Sequence, residues 1–217
     1  MKRTFQALLS VMLFLTVSSS AVAQSLKDFF NSSEISLTYL GVDYTKARLI
    51  NDPGANSLDI KERLYNSINN VIVDEMAKNY NIGGAFQKSN VSTDISGVTA
   101  RNSKINADDI KSSNTADYNR LSESDIASVV KGITVNGKSG IGLVFVMEGM
   151  KKEEKKSYGS VWVTLIDIKS KKVLMTERME AEAGGFGFRN FWASIIKKTI
   201  VAIDKKKYKE WKNKYGA

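Results

Sequence analysis

Hydrophobic positions recur along this chain in three rhythms, and each predicts a different kind of element. From Glu34 to Ile50 apolar residues fall at nearly alternate places (Ile35, Leu37, Tyr39, Val42, Tyr44, Leu49, Ile50). That spacing predicts one strand, or two short ones broken at Gly41. Asn51-Asp52-Pro53-Gly54 then supplies turn chemistry and the only proline. A helical rhythm follows, with Leu64, Ile68, Val71, Ile72 and Met76 on one stripe. Ser57 is the expected N-cap, Asp59 and Glu62 suit the positive helix end, and Gly83-Gly84 is the expected stop.

The stretch Ala85–Asn119 carries only isolated apolar residues among Ser, Asn, Thr and Asp, which predicts exposed loop with one or two weak strands. Ser122-x-x-Asp125 opens a short helix with Ile126, Val129 and Val130 on one side, ended by Gly132. Ile133–Val135 and Ile141–Glu148 flank Asn136-Gly137-Lys138-Ser139-Gly140, the pattern of a hairpin, and Lys151–Lys156 forms a second, charged tip. Val161–Ile168 is apolar on both faces, as a central strand must be. Val173–Ala183 alternates instead, with Val173, Met175, Met179 and Ala181 inward and Thr176, Arg178, Glu180 and Glu182 outward.

The last helix is the clearest element. Phe188, Phe191, Trp192, Ile195, Ile196, Thr199, Ile200 and Ile203 subtend one wide face. Tyr208, Trp211 and Tyr215 continue at helical spacing but are turned by roughly 80–90° from that face at about 100° per residue. Together these patterns predict an α+β fold: a mostly antiparallel sheet of four to six strands, covered on one side by the Ser57 and Phe188 helices, plus one short helix.

The N-terminus adds a compartment. Lys2-Arg3, the apolar run Ala7–Val17 and Ala21-Val22-Ala23 make a cleavable signal peptide over residues 1–23, so the mature chain is expected to begin at Gln24. That run is shorter than the roughly 20 residues of a membrane anchor, and no comparable one follows. The expectation is therefore a periplasmic or secreted protein with no transmembrane segment in its mature part. One α+β domain would span 24–203, with 204–217 as a Lys/aromatic helical extension.

Composition narrows the chemistry. There is no cysteine, so neither disulfides nor lipidation enter, and no histidine, which removes Ser-His-Asp, Cys-His and histidine-based zinc chemistry. The formal charge of +9 becomes +7 once Lys2 and Arg3 are removed. Much of the excess sits in Lys151–Lys156 and Lys205–Lys214. An anionic lipid or polysaccharide fits that balance, as does a solvated face; nucleic acid does not fit an exported chain.

Individual motifs are thin. Gly184-Gly185-Phe186-Gly187-Phe188-Arg189-Asn190 lies where a phosphate loop would, but lacks the third glycine of G-x-G-x-x-G and the Lys-Ser/Thr of a Walker loop. Arg189 with the helix start is the candidate anion contact. Asp108-Asp109, Asn114 and Asp117 lack the alternation and turn glycine of an EF-hand loop and read as a polar loop. No cofactor, metal or catalytic residue is expected. Tyr208, Trp211, Tyr215, Lys207 and Lys212 form the candidate contact surface for a partner or a membrane.

Val161-Trp162-Val163-Thr164-Leu165-Ile166-Asp167, a Lys/Ser turn and Val173-Leu174 resemble the hairpin of a group of small bacterial envelope domains. That group contains the curli secretion channel subunit (the CsgG-like proteins), the TolB N-terminal domain and the penicillin-binding-protein activator lipoproteins. Leu40–Ala47 and Gly184–Ala193 are similar to segments of uncharacterised exported proteins from Bacteroidetes. The resemblance implies a non-enzymatic envelope adaptor or assembly subunit whose partner is another envelope protein. This chain departs from the lipoprotein members in having no lipidation cysteine. Two alternatives stay open: a hydrolase acting on an envelope or sugar substrate through carboxylates such as Asp43, Asp52 or Glu148, and a membrane-surface binder working through Lys205–Tyr215.

Overall fold

A computed structural model describes residues 26–217; the expected signal peptide and cleavage site lie outside the described residues. Seven strands form one sheet. They are β1 (Leu37–Asp43), β2 (Arg48–Ile50), β3 (Val91–Thr93), β4 (Lys111–Ser112), β5 (Ile141–Lys152), β6 (Ser157–Asp167) and β7 (Lys172–Glu182). The long β5 carries β1 along its first half and β2 along its second, with β3 and β4 outside them. All five of these strands run parallel. On the other side of β5, β6 and then β7 add antiparallel, and β7 is the outermost strand.

The expected mostly antiparallel sheet is therefore wrong: five of the seven strands are mutually parallel, and the fold is α/β. Parallel neighbours need long crossovers, and these are the helices between the strands. In chain order the helices are α1 (Leu26–Asn31), α2 (57–74), α3 (Ile82–Ala85), α4 (Ser96–Asn102), α5 (Glu123–Lys131), α6 (Gly187–Ala202) and α7 (Tyr208–Tyr215). In α2, Ser57–Asp59 and Tyr65–Asp74 are joined by the π-helical turn Ile60–Leu64.

Both sheet faces are covered, where one was expected. The larger core lies under α1, α2, α3, α6 and α7, with Tyr39, Phe145, Val163, Ile68 and Trp192 at its centre. The second lies under α4 and α5, where Val98, Ile126 and Val130 meet Val144, Trp162 and Ile166. Ile141–Met150 of β5 is consequently buried on both faces.

Local expectations fare unevenly. Ser122 and Asp125 do form a capping box for α5. The cap of α2 is Asn56, one residue before Ser57, whose side chain accepts from the N–H groups of Leu58 and Asp59. That helix ends at Asp74, while Gly83-Gly84 belongs to the separate turn of α3. Ile133–Val135 forms no strand; it is the connection from α5 into β5, so the first expected hairpin is absent. The second is present, with Lys152 opposite Ser157.

The largest local difference is at the C-terminus. α6 and α7 are joined by a π-helical turn, Ile203–Lys207, in which the Tyr208 N–H donates to Ile203 O, five residues back. The extra residue per turn undoes a rotation of about 100°, close to the offset computed for an unbroken α-helix. Tyr208 (4% exposed) and Trp211 (2%) therefore return to the core face. Residues beyond Ile203 belong to the main core.

Candidate functional site

Two buried carboxylates on the α4/α5 face, each beside an arginine, fix the walls of the domain. Asp43 ends β1 and is fully buried; it receives Arg101 Nε at 2.8 Å, the Thr45 N–H at 2.8 Å and the Thr45 hydroxyl at 2.5 Å. Arg101 reaches it from α4, and its neighbour Asn102 donates to Val42 O (2.9 Å) while accepting from the Tyr44 N–H (2.8 Å). Asn69 of α2 binds Val42 from the opposite face through both N–H and C=O. The break between β1 and β2 thus has its backbone groups satisfied by side chains, as a buried break requires.

Glu148 of β5 is the second buried carboxylate. It accepts from Trp162 Nε1 (2.8 Å), the Ser160 hydroxyl (3.3 Å) and the Leu121 N–H. Arg178 of β7 places Nε 3.1 Å from Glu148 Oε2, an ion pair whose N–H is not aligned for a hydrogen bond. The same guanidinium lies 4.9 Å from the Trp162 ring and donates Nη2 to Leu121 O at 3.0 Å. Glu148 and Arg178 therefore hold both peptide groups of Leu121, immediately before the cap of α5. They set where α5 stands beside β7.

Between those elements runs an open groove of about 730 Å³. Glu123, Ser124 and Ala127 of α5 form one wall, and Lys214 and Tyr215 of α7 form the other. Its floor is Trp162 with β7 from Val173 to Arg178. The α7 wall is held by Glu177, which receives Trp211 Nε1 at 2.5 Å and Lys207 Nζ at 2.7 Å. Hydrogen bonds to Glu177 and Glu210 raise the Lys207 ammonium above its ordinary pKa. Among the described residues β7 pairs only with β6, and no hydrogen bond reaches the backbone of its outer edge.

The candidate carboxylates do not assemble a reaction centre. Asp43 lies opposite Val146, two residues along β5 from Glu148, yet each is sealed and neutralised by its own arginine. Neither lines the groove, nor the cavity of about 490 Å³ bounded by Asn51, Asp52, Pro53 and Lys111–Ser113. Asp52 does line that cavity, paired with Lys152 at 2.7 Å. Asp117 of the polar loop binds Ser112 (2.6 Å) and lies 3.6 Å from Arg120.

Of the expected contact residues, Tyr208 and Trp211 face the core and Tyr215 stacks on Phe30 at 6.1 Å. Lys207 bridges Glu177 and Glu210, which leaves Lys212 as the exposed member of the set. Arg189 is exposed and donates to Asn190 Oδ1 (3.0 Å). It lines a cleft of about 300 Å³ with Glu75, Asn79, Tyr80, Ser194 and Lys197, so a carboxylate shares the space offered to an anion. The groove along β7 is not among the expected sites: the alternation of Val173–Ala183 turns Arg178 outward but carries no sign of the walls that α5 and α7 supply.

No family model matches the chain and no curated protein matches it, so the resemblance to the curli secretion channel and TolB group has no family match behind it. Solved structures similar to it include the hypothetical protein CT253 from Chlamydia trachomatis (TM-score 0.40, 9% identity, 82% of this chain and 98% of that one). The PelC dodecamer from Paraburkholderia phytofirmans gives a TM-score of 0.34 at 10% identity, over 79% of this chain and 89% of the other. Lipoprotein GNA1162 from Neisseria meningitidis gives 0.29 at 12%, over 77% and 95%. No helix among the described residues is long and apolar enough to cross a membrane.

Proposed function

We propose that this protein is exported and serves, without catalytic chemistry, as a binding or assembly protein of the bacterial cell envelope. It takes an extended segment of a partner protein along β7. The observation that carries this reading is the free outer edge of an eleven-residue strand lying in an open groove. A partner strand added there gains main-chain hydrogen bonds, while the α5 and α7 walls select alternate side chains. The charges of Lys172, Arg178, Glu180 and Glu182 along the strand oppose indiscriminate edge pairing. Export rests on Lys2-Arg3, the apolar run and Ala21-Val22-Ala23.

Co-purification from envelope extract tests the reading. Ala127→Arg narrows the groove from a half-exposed wall position without touching either core. It is expected to release the partner recovered with the wild type, while Leu58→Arg, on an exposed side chain elsewhere, retains it. Equal recovery with Ala127→Arg would count against the groove. N-terminal sequencing of the exported product should begin at Gln24, and an uncleaved cytoplasmic protein would count against export.

A further inference from the structure

Burial of the C-terminal aromatics leaves a different surface outside. On the side of α6 and α7 away from Trp192, Ile196, Ile200, Tyr208 and Trp211, the exposed residues include Lys198, Val201, Lys205, Lys206 and Lys209. Lys197, Lys212 and Lys214 flank them, also exposed. The acids along 197–214 are Asp204 and Glu210, and Glu210 is already shared between Lys206 (3.6 Å) and Lys207 (2.9 Å). Lys198, Lys205, Lys209 and Lys212 make no ion pair among the described residues. Eight lysines against two acids put +6 on this stretch, nearly the whole of the +7 left when Lys2 and Arg3 are taken from +9.

The shape of that surface narrows what it fits. The lysines run along a helix for about 20–25 Å at 1.5 Å per residue. They stand on the exposed side of the helix, with Val201 the one large hydrophobic side chain exposed among them. A soluble sugar polymer is usually gripped in a groove or stacked on aromatics, and here the rings of Tyr208 and Trp211 are turned inward. A row of exposed ammonium groups along one helix can meet a plane of negative charge along its whole length.

We propose that the outer face of α6–α7 docks this protein on an anionic lipid headgroup surface through electrostatic contacts, leaving the β7 groove free for a partner. The contact is reversible: without an aromatic or acyl anchor, the attraction comes from the lysines and is screened by salt. Each lysine near such a surface contributes roughly a fivefold gain in partitioning.

The test uses purified protein, as the cell processes it, in cosedimentation with vesicles. Phosphatidylcholine vesicles are compared with phosphatidylcholine containing phosphatidylglycerol, from low salt up to about 0.15 M. Binding is expected only with the anionic lipid and should fall as salt rises. K198Q/K205Q/K209Q should weaken it about a hundredfold, whereas K198R/K205R/K209R should retain it. The three side chains substituted in both variants are exposed, so unchanged thermal melting shows that the fold is intact. Equal binding to both vesicle types, no binding to either, full binding by the glutamine variant, or capture by a soluble polyuronate in place of vesicles would each overturn the proposal. None of these outcomes depends on whether Ala127→Arg releases the protein partner.

Discussion

Trp211 donates its indole N–H to a carboxylate oxygen of Glu177 at 2.5 Å, tying the last helix to the outermost strand of the sheet. That contact exists because the π-helical turn Ile203–Lys207 swings the helix back toward the core. Lys207 reaches the other oxygen of the same carboxylate from within the turn. The C-terminal residues are thus both core and groove wall.

Stability should therefore depend on the C-terminal helix. Trp211→Ala removes a ring that stacks on Phe86 at 6.1 Å and is expected to cost about 3–5 kcal/mol. Trp192→Ala, between α6 and the sheet, should cost about the same. Denaturant titration checks both; a loss below about 1 kcal/mol at Trp211 would mean that the helix end is not part of the core.

Changing the length of the turn gives a sharper version. Deleting Lys205 removes the extra residue, so that an unbroken α-helix places Tyr208 four residues after Ile203 and keeps Tyr208 and Trp211 on the core face, whereas inserting an alanine after Lys205 rotates them by about 100° out of it. The insertion should shift melting down by at least as much as Trp211→Ala, while the deletion should melt close to the wild type. An insertion variant as stable as the wild type would show that the facing of Tyr208 and Trp211 does not matter to the fold.

The pair Glu148–Arg178 is expected to behave as a buried ion pair. Arg178→Met leaves a fully buried carboxylate without its countercharge and frees Leu121 O, at an expected cost of about 3 kcal/mol, the low end for such pairs because the arginine is partly exposed. Glu148→Gln with Arg178→Met should recover part of that loss. If the double variant is worse than the single one by the full cost of Glu148→Gln alone, the two side chains are not coupled.

Lys88 supplies a pH dependence. Its ammonium is buried against the Phe29 ring at 4.0 Å, donates to Phe29 O and to Ser32 O (2.7 Å), and closes the end of α1. Burial, with the nearby Lys212 charge, lowers its pKa from 10.5 to about 8. Between those values the unfolded chain holds a proton that the folded one has released, so stability from this site rises as pH climbs from about 8 toward 10.5 and is lost as pH falls through 8. Lys88→Met should abolish that rise relative to wild type. Parallel stability curves for the two proteins from neutral to alkaline pH would contradict it.

Elements with a strong rhythm were readable from the chain, whereas the relations between them were not. Val161–Ile168 announced a strand buried on both faces, and Ser122-x-x-Asp125 announced its cap, because both signals are local. The same double-sided burial in Ile141–Met150 marks a central strand, but that β1 and β2 run parallel to it while β6 runs antiparallel depends on the crossovers through residues 51–140. In that stretch α4 has a single buried apolar residue, Val98, and is fixed by the hydrogen bonds of Asn102 and Arg101 to the end of β1. A periodicity argument has nothing to register there. It also assumes 3.6 residues per turn, so the rotation at Ile203–Lys207 put Tyr208 and Trp211 on the wrong side and hid both the groove wall and the lysine face.

A photo-cross-linking amino acid at Leu174, on the groove floor, reads out in living cells whether a partner lies along β7. A discrete adduct with an envelope protein is expected, attached through a short extended segment of it and lost when Ala127→Arg is added. No adduct, or the same adducts from the probe placed at Leu58, would contradict the claim that this protein works by holding a partner along β7.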